Sequence, residues 1–133
     1  MTEVMLRDSA AAYGLKYAAL RYFNVAGADP QGRTGQSTAG ATHLIKVACE
    51  AATGKRDSVS VFGTDYDTPD GTGVRDYIHV SDLAAAHVLA LDALIAEPER
   101  SMTMNCGYGR GFSVLEVLDA VDRVTGGQIE RVF

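Results

Sequence analysis

The chain has 133 residues, 47% of them apolar, and a formal charge of −5. That length and apolar content suffice for one domain with a core, while the acidic balance argues against a nucleic-acid surface, which needs a basic patch or stripe. No run of about eighteen apolar residues occurs and no cationic start leads into an apolar stretch, so neither a spanning helix nor a signal peptide is expected.

Thr2 to Tyr13 reads as a helix, with Thr2 as its cap and Gly14 as its stop. Met1 therefore opens the chain inside a helical segment with no strand before it. Lys16 to Tyr22 reads as a strand apolar on both faces apart from Arg21, the pattern of an interior strand in a parallel sheet. A long loop, Phe23 to Gly40, follows; its glycines and Pro30 suit a functional segment. Ala41 to Thr53 returns to helical spacing, with Leu44, Val47, Ala48 and Ala51 on one face.

Val59, Val61 and Phe62 form a short strand before a second long loop, Gly63 to Val74. Arg75 to Val80 is strand-like, and Ser81-Asp82 opens a helix that runs to Ala96 and stops before Pro98. Met102 to Cys106 is a strand, Gly107 to Phe112 a tight glycine turn, and Ser113 to Glu116 a capping box that starts the last helix. Gly126-Gly127 end that helix, and Gln128 to Phe133 reads as a last strand. Alternating helices and strands favour an α/β fold. Both long loops leave the ends of strands, where open α/β sheets bind ligands.

Arg75 stands just after Gly71 and Gly73, where backbone can approach a ligand and a guanidinium can grip an oxyanion with two parallel bonds. The competing reading is a surface arginine paired with Asp76 or Asp82. Asn24 offers donors and an acceptor at a strand end, although it could serve only to form a turn. His43, near a helix start, could contact an anion. His79 reads as a hydrogen-bonded structural histidine, and His87 as a packed one.

Gly107-Tyr108-Gly109-Arg110-Gly111 looks like a dinucleotide fingerprint, but Phe112 stands where that pattern wants glycine, so a structural turn is the better reading. Cys49 and Cys106 have no metal spacing, and two buried, reduced thiols of a cytosolic protein are expected. The three histidines and two cysteines have no ligand spacing, so no metal site is expected. A Tyr four residues before a Lys is also absent, since Ala12, Thr42 and Ala51 precede Lys16, Lys46 and Lys55 at that distance.

Three long stretches carry a resemblance. They are Leu20-Arg21-Tyr22-Phe23-Asn24-Val25-Ala26-Gly27-Ala28-Asp29-Pro30, then Lys55-Arg56-Asp57-Ser58 with Val61-Phe62-Gly63, and Asp70-Gly71-Thr72-Gly73-Val74-Arg75-Asp76-Tyr77-Ile78-His79-Val80. Together they closely resemble the UDP-glucose 4-epimerase family of extended short-chain dehydrogenases. The related dehydratases and decarboxylases carry an Asn-x-Tyr-Gly-Pro pattern that is missing after Asn24.

The resemblance implies a partial Rossmann-like parallel sheet plus the smaller carboxyl-terminal domain that binds the nucleotide sugar. Residues 1–40 and 76–106 would complete the Rossmann sheet, and 41–75 and 107–133 would lie mostly in the substrate domain. It implies an isomerase of galactose metabolism, with NAD as cofactor and a UDP-sugar as ligand, working as a cytoplasmic homodimer. The family's glycine fingerprint and Tyr-x-x-x-Lys would precede Met1, and its Arg-x-x-Asp would follow Phe133. The chain is thus expected to be an internal piece, inactive alone, that partners an amino-terminal NAD-binding half. A non-catalytic nucleotide-sugar-binding module, or a truncated product without function, is the alternative.

Carried over by position, Phe23 would lie against the nicotinamide end of NAD and Asn24 would hydrogen-bond the sugar nucleotide. His43 and Leu44 stand where the family has Asn-Leu over the diphosphate; imidazole can donate to phosphate as an amide does. Ser60, Val61 and Phe62 would frame the uracil, partly through backbone groups. Arg75 would clamp the diphosphate. Val25 replaces a proline common after the Asn. No catalytic residue and no metal ligand falls within these 133 positions.

Overall fold

The computed structural model describes residues 1–133, and its helices and strands alternate as the patterning predicts. Helix α1 (Thr2–Tyr13) begins one residue earlier than a Thr2 cap would require: Met1 is the cap residue and no side chain caps the helix. Gly14 ends it in the left-handed conformation (φ 69°), which glycine adopts without a steric cost. Strand β1 (Ala18–Arg21) follows, and Arg21 forks onto the Glu3 carboxylate through Nε and Nη2, both at 2.5 Å, tying β1 back to α1.

The stretch expected as one long loop after Tyr22 contains a short strand, β2 (Asn24–Ala26). Helix α2 (Leu44–Ala52) starts where His43 takes an extended cap conformation. Strands β3 (Val59–Ser60) and β4 (Val74–His79) flank the second loop. Helix α3 (Val80–Ala96) is capped by the His79 imidazole rather than by Ser81, with Nδ1 accepting from the Ser81 amide at 3.1 Å. Strand β5 (Met102–Asn105) leads to β6 (Gly111–Ser113), which occupies the end of the expected glycine turn. Helix α4 (Val114–Thr125) carries the predicted capping box, and β7 (Arg131–Val132) closes the order.

The strands pair in three small sheets. β1 and β5 are parallel, with Ala18 opposite Met102 and Arg21 opposite Asn105. β2 lies parallel to β4 with Asn24 opposite Tyr77, and β6 runs antiparallel on the other edge of β4. β3 and β7 are parallel. Parallel pairing of strands far apart in sequence requires crossovers, and here the helices supply them.

The main core lies between α2 and α4 under the β3–β7 pair. Ala48, Val59, Val61, Leu118 and Ile129 are buried there, with Leu44, Val47, Ala51 and Val121 packed around them. This is the apolar face that the spacing of α2 predicts. Arg131 fastens β7 to α4, donating from Nη2 to Asp119 at 2.8 Å and to Asp122 at 2.6 Å. Asp122 also accepts from the Ile129 amide, so one carboxylate holds the turn after α4 in place. The cysteines are unbonded, and Cys49 is exposed rather than buried because its side of α2 faces away from that core. No helix is long and apolar enough to cross a membrane.

Candidate functional site

Strand β4 is the spine of the site, because alternate residues of a strand point to one face. Arg75 and Tyr77 follow that alternation and both line a cavity of about 410 Å³. Asn24 reaches it from β2, Leu44 and Val47 from α2, and Ser60 and Phe62 from the end of β3. A second cavity of about 440 Å³ adjoins it, and Asn24, Leu44 and Tyr77 line both. His43, Gln36 and Lys46 belong to the second.

Charge distinguishes these walls from the rest of the molecule. In a chain of net charge −5, no carboxylate lines either cavity, whereas Arg56 and Arg75 line the first and His43 and Lys46 the second. Arg56 and Lys46 are steadied from behind by Glu50, at 2.5 and 3.1 Å. Arg56 chiefly, and then Lys46, hold the Glu50 carboxyl below its ordinary range.

Arg75 forms no ion pair: its Nη1 donates at 2.7 Å to the carbonyl of Val74, and the two acids once available to it are engaged elsewhere. Asp76 accepts from the amides of Tyr108 at 3.2 Å and Gly109 at 2.9 Å, and Asp82 accepts from the Tyr108 hydroxyl. That last bond is also the main reason the Tyr108 phenol is pushed above its ordinary value.

The surrounding bonds explain how the lining is held. Asn24 Nδ2 donates to the Asp76 carbonyl at 3.2 Å, which leaves the Asn24 amide oxygen without a protein partner. Thr72, fully buried, closes the loop before β4, and Asp70 accepts from its amide at 2.9 Å and its hydroxyl at 2.7 Å. Asp70 also accepts from Ser113 Oγ, and these bonds, Ser113 first, keep its carboxyl below the usual range. Tyr77 is half-buried, and burial raises its phenol.

The glycine turn after β5 serves packing. A Cβ on Gly107 would come within 2.5 Å of Asp76 Oδ2, and one on Gly111 would collide with Val74. The His79 ring likewise fills the space where a Cβ of Gly27 would stand. His87 Nδ1 donates to the Leu83 carbonyl, 2.8 Å away, and the ring meets the edge of Tyr22. No group of acidic, histidine and cysteine side chains could hold a metal ion.

The sequence-expected residues thus fall in four places. Asn24, Leu44, Ser60, Phe62 and Arg75 meet at the first cavity, and His43 stands at the second. Val61 turns its side chain into the core, leaving only its backbone to face outward. Its amide is taken by the Val132 carbonyl at 2.8 Å. Phe23 is 82% exposed and lines neither cavity. Arg56, Tyr66, Tyr77, Gln36 and Lys46 were not anticipated. Tyr77 could have been, since it lies two residues beyond Arg75 on one strand; nothing local in the sequence announces Arg56 or Gln36.

The sequence profile of the NAD dependent epimerase/dehydratase family matches residues 1–107. The chain is 64% identical over its whole length to the UDP-glucose 4-epimerase of Azospirillum brasilense, and 47% identical over 97% of its length to that of Streptococcus mutans. It spans 38% of the length of each of these relatives. The fold superposes on the UDP-glucose 4-epimerase of Brucella ovis in complex with NAD, with a TM-score of 0.91 and 49% identity, covering 98% of this chain and 40% of that one. On the Bifidobacterium longum UDP-glucose 4-epimerase in complex with NAD+ and UDP the TM-score is 0.88 at 42% identity, covering 98% and 39%.

Proposed function

The chain belongs to the NAD dependent epimerase/dehydratase family, and from that footing we propose that it supplies nucleotide-sugar binding to a UDP-glucose/UDP-galactose 4-epimerase. The carrying observation is a wall without carboxylates: two adjoining cavities lined by the cations Arg75, Arg56 and Lys46, with the His43 imidazole as a further donor. A diphosphate is the group such a wall suits, and Arg75, which no carboxylate occupies, suits it best. Asn24, whose amide oxygen has no protein partner, takes a hydroxyl of the sugar. Ser60 and Phe62, with the backbone around Val61, frame the uracil, and Leu44 closes over the diphosphate.

NAD, when bound, takes and returns the hydride at the sugar C4. Within this chain one residue fits that group, the exposed Phe23 ring between β1 and β2, available to pack against the nicotinamide end. The turn at Gly107 does not fit a dinucleotide, because Gly107 and Gly111 are packed against Asp76 and Val74. Residues 1–40 and 76–106 then belong to the NAD-binding sheet, and 41–75 with 107–133 mostly to the substrate domain. The pairing of β1 with β5 and the packing of α2 on α4 support that division. The reading includes a cytoplasmic homodimer.

The contribution of these residues is affinity and orientation. No Tyr-x-x-x-Lys occurs in the 133 residues, so the chain by itself binds without turning over. Calorimetry with UDP tests this: the chain binds, and Arg75→Ala weakens binding about ten- to a hundred-fold, the cost of a charge-assisted contact. Arg75→Lys recovers only part, because a point charge does not reproduce the planar fork. Equal affinity in Arg75→Ala, or turnover of UDP-galactose with NAD by the chain alone, would overturn the reading.

A further inference from the structure

His43 and Gln36 make one contact whose chemistry reaches beyond packing. Gln36 lies on the loop after β2 and His43 caps α2; both line the second cavity, and Gln36 Nε2 stands 2.9 Å from His43 Nδ1. With the Gln36 NH2 turned to the ring, the amide donates and Nδ1 accepts, so the neutral ring carries its proton on Nε2. Nε2 has no protein partner, and no side-chain cap bond to α2 uses the ring. A neutral imidazole fixed in this way presents one aimed N–H beside the start of a helix, where amide dipoles already favour an anion.

We propose that Gln36 is a positioning residue, which holds the His43 imidazole in the Nε2–H form so that it donates to a phosphate oxygen of the bound nucleotide. The inference rests on the nucleotide reading of the cavities given above. It makes the loop after β2 a determinant of affinity. The contact would otherwise be an exposed amide–imidazole pair with no consequence for ligands.

Lys46 and Cys49 of its own helix and Tyr77 of β4 line the same cavity as His43. Lys46 is paired with Glu50, and Asp29 and Arg33 on the loop are paired with one another at 2.7 Å. While the ring is neutral, only the correct form and orientation can donate.

The test uses the chain itself, with UDP as the probe, by calorimetry at pH 8.0. Gln36→Ala should weaken UDP binding about three- to ten-fold, the scale of one lost hydrogen bond. In a His43→Asn background, where an amide donates without a tautomer, Gln36→Ala should change nothing. Imidazole nitrogen shifts at pH 8.0 should show His43 protonated on Nε2 in the wild type and a mixture of forms in Gln36→Ala. UDP binding that depends on Arg75 but not on Gln36, or a Gln36→Ala loss that persists unchanged in the His43→Asn background, overturns this proposal and leaves the nucleotide reading standing. No binding of UDP to the wild type removes the nucleotide reading and this proposal together.

Discussion

Asp70 carries more of the site's shape than its exposure suggests. Its carboxylate collects the amide and hydroxyl of Thr72 and the hydroxyl of Ser113, while Ser113 Oγ accepts from the Glu116 amide at the start of α4. The loop that delivers β4 is therefore bolted to a helix more than forty residues away. Because these bonds favour the charged form, the folded carboxyl titrates below its unfolded value of about 3.9. The stability it contributes is present above that value and is lost as pH falls through the lower, folded one. Thermal melts from pH 7 to pH 2.5 should thus show Asp70→Asn less stable at neutral pH, with the gap from the wild type closing in acid; a gap independent of pH would refute the linkage. Ser113→Ala removes the cap as well and should cost about 1–2 kcal/mol. The capping box was legible in the sequence because its four positions are contiguous. The Asp70 bond was not, because it spans two elements whose approach only the fold decides.

Elements with a local signature were legible and those made by distant pairing were not. α2, α3 and α4 follow from periodicity and from stop residues, and the buried face of α2 is the one its spacing predicts. β2 and β6 are three residues each, lie beside glycines, and exist because each pairs with an edge of β4. Nothing in Asn24–Ala26 or Gly111–Ser113 alone distinguishes such a strand from a turn. The cap of α3 escaped for a similar reason, since an imidazole seldom serves where Ser81 and Asp82 offer themselves. β4 is held on its β6 side by contacts that tolerate no Cβ. Gly107→Ala should displace the Asp76 carboxylate and free the amides of Tyr108 and Gly109, at a cost of about 1–2 kcal/mol. Gly127→Ala, at a position without positive φ where a Cβ would meet only Thr125 Oγ1 at 4.0 Å, is the control and should fall within about 0.5 kcal/mol of the wild type. Urea unfolding of the two variants measures the difference, and equal midpoints would show that the turn yields without loss.

At the scale of the molecule the α/β class was legible, and so was the end where the cavities open, since both long loops leave strands that meet there. What the sequence did not show is how unevenly the core is distributed. Five of the buried residues form one cluster among α2, β3, α4 and β7, while the α1, β1, α3 and β5 portion buries little beyond Leu83 and Ala90. On α3 alone Val88, Leu89, Leu91 and Ile95 are each more than half exposed, and Met5 and Tyr13 of α1 are exposed as well. β1 and β5 pair only with each other, so each offers an open edge. Contiguous apolar surface beside unpaired backbone favours association, because water gains by its removal and a strand edge is a template for another. Apolar burial returns about 25 cal/mol per Å², so even a few hundred Å² covered between copies is worth several kcal/mol. The chain alone should therefore self-associate at micromolar concentration, with a sedimentation coefficient that rises over a ten-fold dilution series read upward and with binding of an apolar dye. Leu89→Lys with Ile95→Lys should weaken that association while leaving UDP affinity unchanged, since neither residue lines the two cavities. A single monomeric boundary at every concentration, cooperative unfolding and no dye uptake would mean that this face is stable in water as it stands.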